Sequence, residues 1–387
     1  MAKLIGKLRE ARFSLKGRNA GIAPRRNSHS TNQPAMKTPI TLTVASCLLT
    51  LALPALAQQG ASPDPQMKAV LDELAALGGK PVATLSPAEA RKQPSPAEAV
   101  MALMKKQDKK GPEPVGDVDN TKVTVGDHSV AVRIYTPKGE GPFPVILYIH
   151  GGGWVIADLD TYDASPRALC NAVGAIVVST HYRQAPEHKF PAAHEDVFAV
   201  YQEVVKNAWK RNYDSKRIAL VGESAGGNMA AAISMMAKEK GVMMPLHQVL
   251  IYPVADLTDL NSPSYRENAE AKPLNKAMIE WFGKHTLANP DEAKNPLLSL
   301  VLAGEALKGL PPTTIINAQI DPLKSDGDKL AKALTAAGVK VNHKIYDGVT
   351  HEFFGMAAIV DKAKEAQQFA AADLQSALSS TATAAQP

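Results

Sequence analysis

Two cysteines, Cys47 and Cys170, are all that the 387 residues contain. That is too few for the disulfide framework of a small secreted domain, and no Cys/His cluster has the spacing of a metal site, so no metal is expected. A basic surface is also missing. The chain carries a formal net charge of +5, but residues 1–57 hold nine Lys/Arg against the single acid Glu10, which leaves 34 basic and 37 acidic residues beyond Ala57 and a net charge there of about −3. The basic balance therefore belongs to the start of the chain, and no nucleic-acid partner is expected. No long internal repeat is evident.

The one long uncharged apolar run lies near the start. Met36-Lys37 is followed by PITLTVASCLLTLALPALA, which ends in Ala55-Leu56-Ala57. A short positive start, an apolar middle and a small-residue A-x-A end mark a secretory signal peptide. The preceding 35 residues are basic and poor in apolar residues, and read as an upstream extension with Met36 as the true start. A membrane anchor would need about 20 apolar residues, and this run is interrupted by Thr, Ser and Pro54. Val44-Ala45-Ser46-Cys47 resembles a lipidation box, but the apolar run continues well past Cys47. The expectation is export, to the periplasm or beyond the cell, with cleavage near Ala57 and no stable membrane association afterwards. Cys170 then stands alone, and the core must hold without a disulfide. The remaining residues suffice for one large α/β domain with a small cap.

From Ser62 to Lys110 the pattern is helical. Met67, Val70, Leu71, Leu74 and Leu77 recur at helical spacing before Gly78-Gly79, and two S-P-A-E stretches at Ser86 and Ser95 read as helix starts with Ser as N-cap, Pro at N1 and Glu at N3. This segment, residues 58–114, is assigned as an N-terminal helical part and linker. From Thr121 the texture changes. TKVTV-GD-HSVAVRIY predicts a hairpin turning at Gly126-Asp127. FPVILYIH, AIVVSTHY, RIALVG, HQVLIY, TTIINA and VNHKIY follow as short apolar runs, with helical stretches at 191–208, 225–239 and 324–337 between several of them. Such alternation predicts a mainly parallel sheet flanked by helices over residues 115–380, with 381–387 as a disordered tail. Ligands in that architecture bind beyond the carboxyl ends of the strands.

GESAGG, residues 222–227, places Ser224 between a strand and a small-residue helix. A serine at such a turn presents its hydroxyl above the sheet, and the helix N-terminus offers backbone N–H groups to a developing oxyanion. His150-Gly151-Gly152-Gly153-Trp154 follows the strand FPVILYI. Three consecutive glycines leave peptide N–H groups unshielded, as acyl transfer requires; no Lys-Ser/Thr follows to make a phosphate loop. Gly152, Gly153 and Ala225 are the candidate oxyanion donors. Among the downstream histidines, His247 and His343 fall within strands and His285 within a helical stretch of the 255–295 insertion, whereas His351, in GVTHEFFGM, lies in a loop just past the last strand. Asp321 directly follows TTIINAQI, and one helix and one strand separate it from His351; Asp347 is its rival. The chain order Ser224, Asp321, His351 is the Ser–Asp–His order of α/β-hydrolases. These three are the candidate catalytic residues, with no cofactor needed.

HGGGW, YRQAPEHKFPAAHED, GESAGG, DPLKSDG and HEFFGM, in that order from about Val115 onward, resemble the bacterial hormone-sensitive-lipase-like esterases. The resemblance implies an α/β-hydrolase core, a cap built from the N-terminal helices and the 255–295 insertion, carboxylesterase activity on a small-molecule ester, and a fold that in some members pairs as a homodimer. Gln184, Glu223 and Glu352 depart from the commonest family pattern, and Glu223 and Glu352 are placed near the pocket. Arg183, Glu187 and His150 read as structural, His150 anchoring the glycine loop. Trp154 is expected to wall the acyl side and favour short acyl groups, with Trp154 and Glu223 as substrate-binding candidates; Met101, Leu103 and Met104 are candidates for the entrance. The preferred reading is a serine esterase for short- to medium-chain acyl esters. A catalytically silent binding protein of the same fold and a serine amidase or peptidase are the alternatives, and the retention of Ser224, Asp321 and His351 weighs against the first.

Overall fold

The computed structural model describes residues 61–379 apart from 208 and 210. The leader, its boundary near Ala57 and the tail 381–387 lie outside the described residues. Eight strands, β1 (Asp117–Val125), β2 (His128–Thr136), β3 (Phe143–Ile149), β4 (Ile176–Thr180), β5 (Tyr213–Glu223), β6 (His247–Ile251), β7 (Thr313–Ile320) and β8 (Val341–Thr350), form one sheet in the order β1-β2-β4-β3-β5-β6-β7-β8. β1 pairs antiparallel with β2 and β2 antiparallel with β4; every other pairing is parallel. The hairpin turns where Gly126-Asp127 predicted, with Gly126 at φ +60° and Val125 opposite His128.

Alternate residues of the central strands feed two cores. Val145, Leu147, Ile149, Leu220, Leu250 and Ile315 face one side; Ile146, Tyr148, Val221, Val249, Ile251 and Ile316 face the other. A strand buried on both faces has no polar alternation, which is why these runs read as continuous apolar stretches. The first face is covered by α5 (Ala192–Lys206), α6 (Ala225–Glu239) and α8 (Lys324–Ala336). The second is covered by α1 (Pro65–Ala76), α3 (Pro96–Lys106), α4 (Ala164–Val173) and α9 (Asp361–Ser379). Between them in the chain come the one-turn α2 (Pro87–Ala90) and, in the insertion, a further turn at Pro263–Glu267 and the helix α7 (Lys276–Thr286). Both S-P-A-E stretches close capping boxes, Ser86 with Glu89 and Ser95 with Glu98.

The register brings the strand ends level. Ile149 lies opposite Gly222, Glu223 opposite Ile251, and Ile320 opposite Thr350. The segments after β3, β5, β7 and β8 therefore emerge at one edge of the sheet. One expectation needs correction. The last strand does not stop at Tyr346 but runs to Thr350, passing Gly348 at φ +67°, with a register shift against β7. His351 is thus the first residue beyond the strand, held by the ladder and not by a loop.

Over that edge the N-terminal segment and the insertion meet. Trp281 of α7 donates its indole N–H to the carbonyl of Leu85 at 3.0 Å. Arg91 donates to the carbonyls of Val155 and Ala185, both at 2.8 Å, and forks onto Glu187 at 2.7 and 2.8 Å. Thr286 donates to the Gly153 carbonyl at 3.3 Å, tying the insertion to the glycine loop.

Candidate active site

Ser224 sits between the last residue of β5 and the first of α6 with φ +57° and ψ −119°. A non-glycine residue is strained there, and the surroundings hold it. A Cβ on Gly222 would stand 2.1 Å from the Gly226 carbonyl oxygen, and one on Gly226 would stand 2.0 Å from that of Ile149. Neither distance is tolerable, so the two glycines around the serine follow from the close crossing of β5, α6 and β3. The Ser224 N–H is tied to the Ile251 carbonyl at 2.9 Å, and the side chain is left at the open end of the turn.

The structure brings the three candidate residues into one line. His351 Nε2 lies 3.0 Å from Ser224 Oγ, and His351 Nδ1 lies 2.7 Å from Asp321 Oδ2. Asp321 is fully buried, and its other carboxylate oxygen accepts the Leu323 N–H at 2.8 Å. Burial is the largest single influence on His351 and disfavours its cation, but Asp321, Glu352 and Glu223 together outweigh it and hold the imidazole pKa above its ordinary value. The rival residues are elsewhere. Asp347 is exposed. His247 pairs with Thr314 at 2.8 Å, His343 with Asn317 at 3.1 Å, and His285 packs against Trp281 with ring centroids 4.5 Å apart.

The glycine loop runs beside the serine. Gly152 and Gly153 have φ of +92° and +57°; a Cβ on Gly152 would meet the Ile156 carbonyl oxygen at 2.1 Å, and one on Gly153 the Phe282 ring at 2.3 Å. Among the described residues the N–H groups of Gly152, Gly153 and Ala225 have no hydrogen-bond partner within the chain. Unspent donors at a helix N-terminus and a glycine loop suit an anionic oxygen. His150 anchors this loop: Nδ1 lies 2.8 Å from the Gly151 carbonyl oxygen, Nε2 lies 2.9 Å from His181, and its ring stacks on Tyr182 at 4.4 Å. Burial, with His181 close by, pushes His150 down to about 3, so it serves as a neutral scaffold. Arg183 pairs with the buried Asp196 at 2.8 Å, and Glu187 with Arg91.

Trp154 follows the glycine loop into the interior. It is only 4 % exposed, has φ +62°, and stacks on His194 with centroids 6.3 Å apart. It belongs to the core against α5 and α6 and does not line the cavity beside the site. Glu223 is buried too. It accepts hydrogen bonds from Tyr148 at 2.5 Å and from Tyr252, and burial with the nearby Glu352 pushes its carboxyl up to about 7. Met101 and Met104 do line that cavity, whereas Leu103 packs into the core. One group beside the reacting atoms, Tyr162, carried no sequence signal of its own, whereas Glu352 lies near the pocket as the sequence placed it. Tyr162 donates to Glu352 at 2.5 Å, and Glu352 Oε1 lies 3.8 Å from His351 Nε2.

A parallel sheet whose level edge carries a serine elbow, an Asp–His pair and a glycine loop defines a class, the α/β hydrolases. A family profile described as the alpha/beta hydrolase fold matches residues 146–355. The carboxylesterase NlhH of Mycobacterium tuberculosis is 40 % identical over 252 residues, 64 % of this chain and 79 % of that protein. The ethyl acetate hydrolase of Pseudomonas putida is 32 % identical over 289 residues, 74 % of this chain and 88 % of that protein. The solved esterase of Pyrobaculum calidifontis superposes with a TM-score of 0.73 at 34 % identity, covering 81 % of this chain and 98 % of that one. The chain belongs to the α/β-hydrolase fold family, among its hormone-sensitive-lipase-like esterases, and is a carboxylic-ester hydrolase.

Proposed function

We propose that the protein is a serine carboxylesterase for short- to medium-chain acyl esters, working through an acyl-enzyme on Ser224. His351 Nε2 takes the Ser224 proton as Oγ attacks the ester carbonyl. The carbonyl oxygen becomes negative and is held by the N–H groups of Gly152, Gly153 and Ala225. The imidazolium then gives its proton to the leaving alkoxide, and the C–O bond breaks. Water repeats the sequence on the acyl-enzyme and releases the acid. Asp321 keeps Nδ1 protonated, fixes the ring and stabilises the imidazolium. Each oxyanion donor is worth about 3–4 kcal/mol of barrier by analogy with measured cases.

One observation carries this reading: a single imidazole within 3.0 Å of Ser224 Oγ and 2.7 Å of Asp321 Oδ2, beside three unspent N–H donors. The name of the Pseudomonas putida relative, ethyl acetate hydrolase, supports small esters. The leader pattern before Ala57 supports export, with hydrolysis outside the cytoplasm. Hydrolysis of chromogenic esters from C2 to C12 by the wild type and by Ser224→Ala tests the reading. Turnover concentrated on short chains and abolished in the variant is the expected result. No turnover at any length by folded wild-type protein contradicts it.

A further inference from the structure

A cavity of about 1200 Å³ lies between α3, α4 and α9. Val100, Met101 and Met104 of α3, Ala168 of α4 and Met356 give it apolar walls, and charged residues such as Lys105, Arg133 and Asp160 line it as well. Its inner end is formed by Tyr162, Glu223 and Glu352. These are neighbours of the reacting groups, yet neither Ser224 nor His351 lines the cavity.

Between the cavity and His351 stands the hydrogen-bonded pair Tyr162–Glu352, with Glu223 beside it. The Tyr162 hydroxyl donates to Glu352 Oε1 at 2.5 Å, and that same oxygen is 3.8 Å from His351 Nε2. On the other side, the point a Gly151 Cβ would occupy is 2.4 Å from the Tyr162 hydroxyl and 3.1 Å from Ser224 Cβ. Tyr162 therefore reaches across to the glycine loop beside the serine. Glu352 is held at φ +70°, a conformation that glycine adopts freely and glutamate does not.

We propose that the Glu352–Tyr162 pair is the specificity-determining partition of this esterase: it closes the large cavity off from Ser224 and so limits the size of ester the serine accepts. The proposal rests on Ser224 as the nucleophile. Neither residue bonds to the substrate carbonyl; their effect is on what fits.

Glu352→Gly removes the partition at a position whose backbone already suits glycine, and Tyr162→Phe keeps the ring while deleting the hydrogen bond. Two series are measured on the full chain: p-nitrophenyl esters from C2 to C12 acids, and acetates of C2 to C12 alcohols. In Glu352→Gly the ratio of kcat/KM for C10 to that for C2 is expected to rise by about ten-fold or more in one series, the scale that apolar pocket contacts command, with a smaller rise in Tyr162→Phe. Adding Ala97→Trp, which fills the cavity from α3, should cancel the gain. An unchanged ratio in both series, or a gain that Ala97→Trp leaves intact, overturns the proposal, because a merely loosened site would not depend on the cavity. Wild-type turnover that survives Ser224→Ala would instead overturn the nucleophile assignment, and the partition with it.

Discussion

His351 and Asp321 are joined by a 2.7 Å hydrogen bond at Nδ1, with the carboxylate fully buried and its second oxygen occupied by the Leu323 N–H. An aspartate so held decides which imidazole nitrogen carries the proton and stabilises the imidazolium. Asp321→Asn preserves the shape and allows the wrong tautomer. By analogy with other triads, kcat should fall on the order of 10⁴-fold with little change in the thermal midpoint. A loss below about ten-fold in steady-state kinetics would remove Asp321 from the mechanism.

The pH profile follows from the charges around His351. Burial, to which the Tyr252 ring packed at 4.4 Å belongs, disfavours its cation, but Asp321, Glu352 and Glu223 face it from the ends of β7, β8 and β5 and together raise its pKa. Only the neutral imidazole is a base, so kcat/KM should fall as pH drops through a midpoint above the ordinary value near 6.5. Glu352→Gln removes one negative charge 3.8 Å from Nε2, weakens the imidazolium and moves that acid limb to lower pH. An acid limb that stays put, or moves upward, counts against the geometry.

Glu223 also makes a prediction about stability. Its carboxyl is raised to about 7 in the folded chain, chiefly by burial. A folded pKa above the unfolded one means the folded chain holds the proton more tightly, so the associated stability is full below about pH 4.5 and is lost as pH rises toward 7. Glu223→Gln should flatten the dependence of the thermal midpoint on pH across that window. A dependence identical to the wild type's would show that the proton is not held there.

Gly226 tests the turn itself. The methyl of Gly226→Ala would stand 2.0 Å from the Ile149 carbonyl oxygen. Forcing β3 and α6 apart should cost about 1–3 kcal/mol in denaturant unfolding and displace Ser224 enough to abolish ester turnover. Near-wild-type activity would mean that the elbow is not as tightly crossed as described.

Much of this was legible in the sequence because the chemistry constrains the spelling. Gly222 and Gly226 are required by backbone contacts, and Asp321 and His351 follow strands whose apolar runs are unmistakable. The two Ser-Pro-Ala-Glu starts are local and self-contained. Less was legible where packing decides. Helix α9 has little periodic signature, since it buries mainly alanines, Ala363, Ala366, Ala370 and Ala371, and leaves only Leu374 and Leu378 to mark a period. The direction of Trp154 was not legible for a related reason. Adjacency to the glycines gives no direction, and a positive φ carries the indole into the core beside His194. The meeting of Tyr162 with Glu352, 190 positions later, had no local signature at all.

The central claim, that Ser224 is the group acylated, is tested most directly by covalent trapping. The protein is treated with a p-nitrophenyl alkylphosphonate, residual esterase activity is followed, and the digested chain is examined by mass spectrometry. One phosphonyl group per chain on the peptide containing Ser224 is expected, with activity lost in proportion, and no labelling of Ser224→Ala. Full inactivation with the label on another residue, or retained activity in a fully labelled chain, would contradict it.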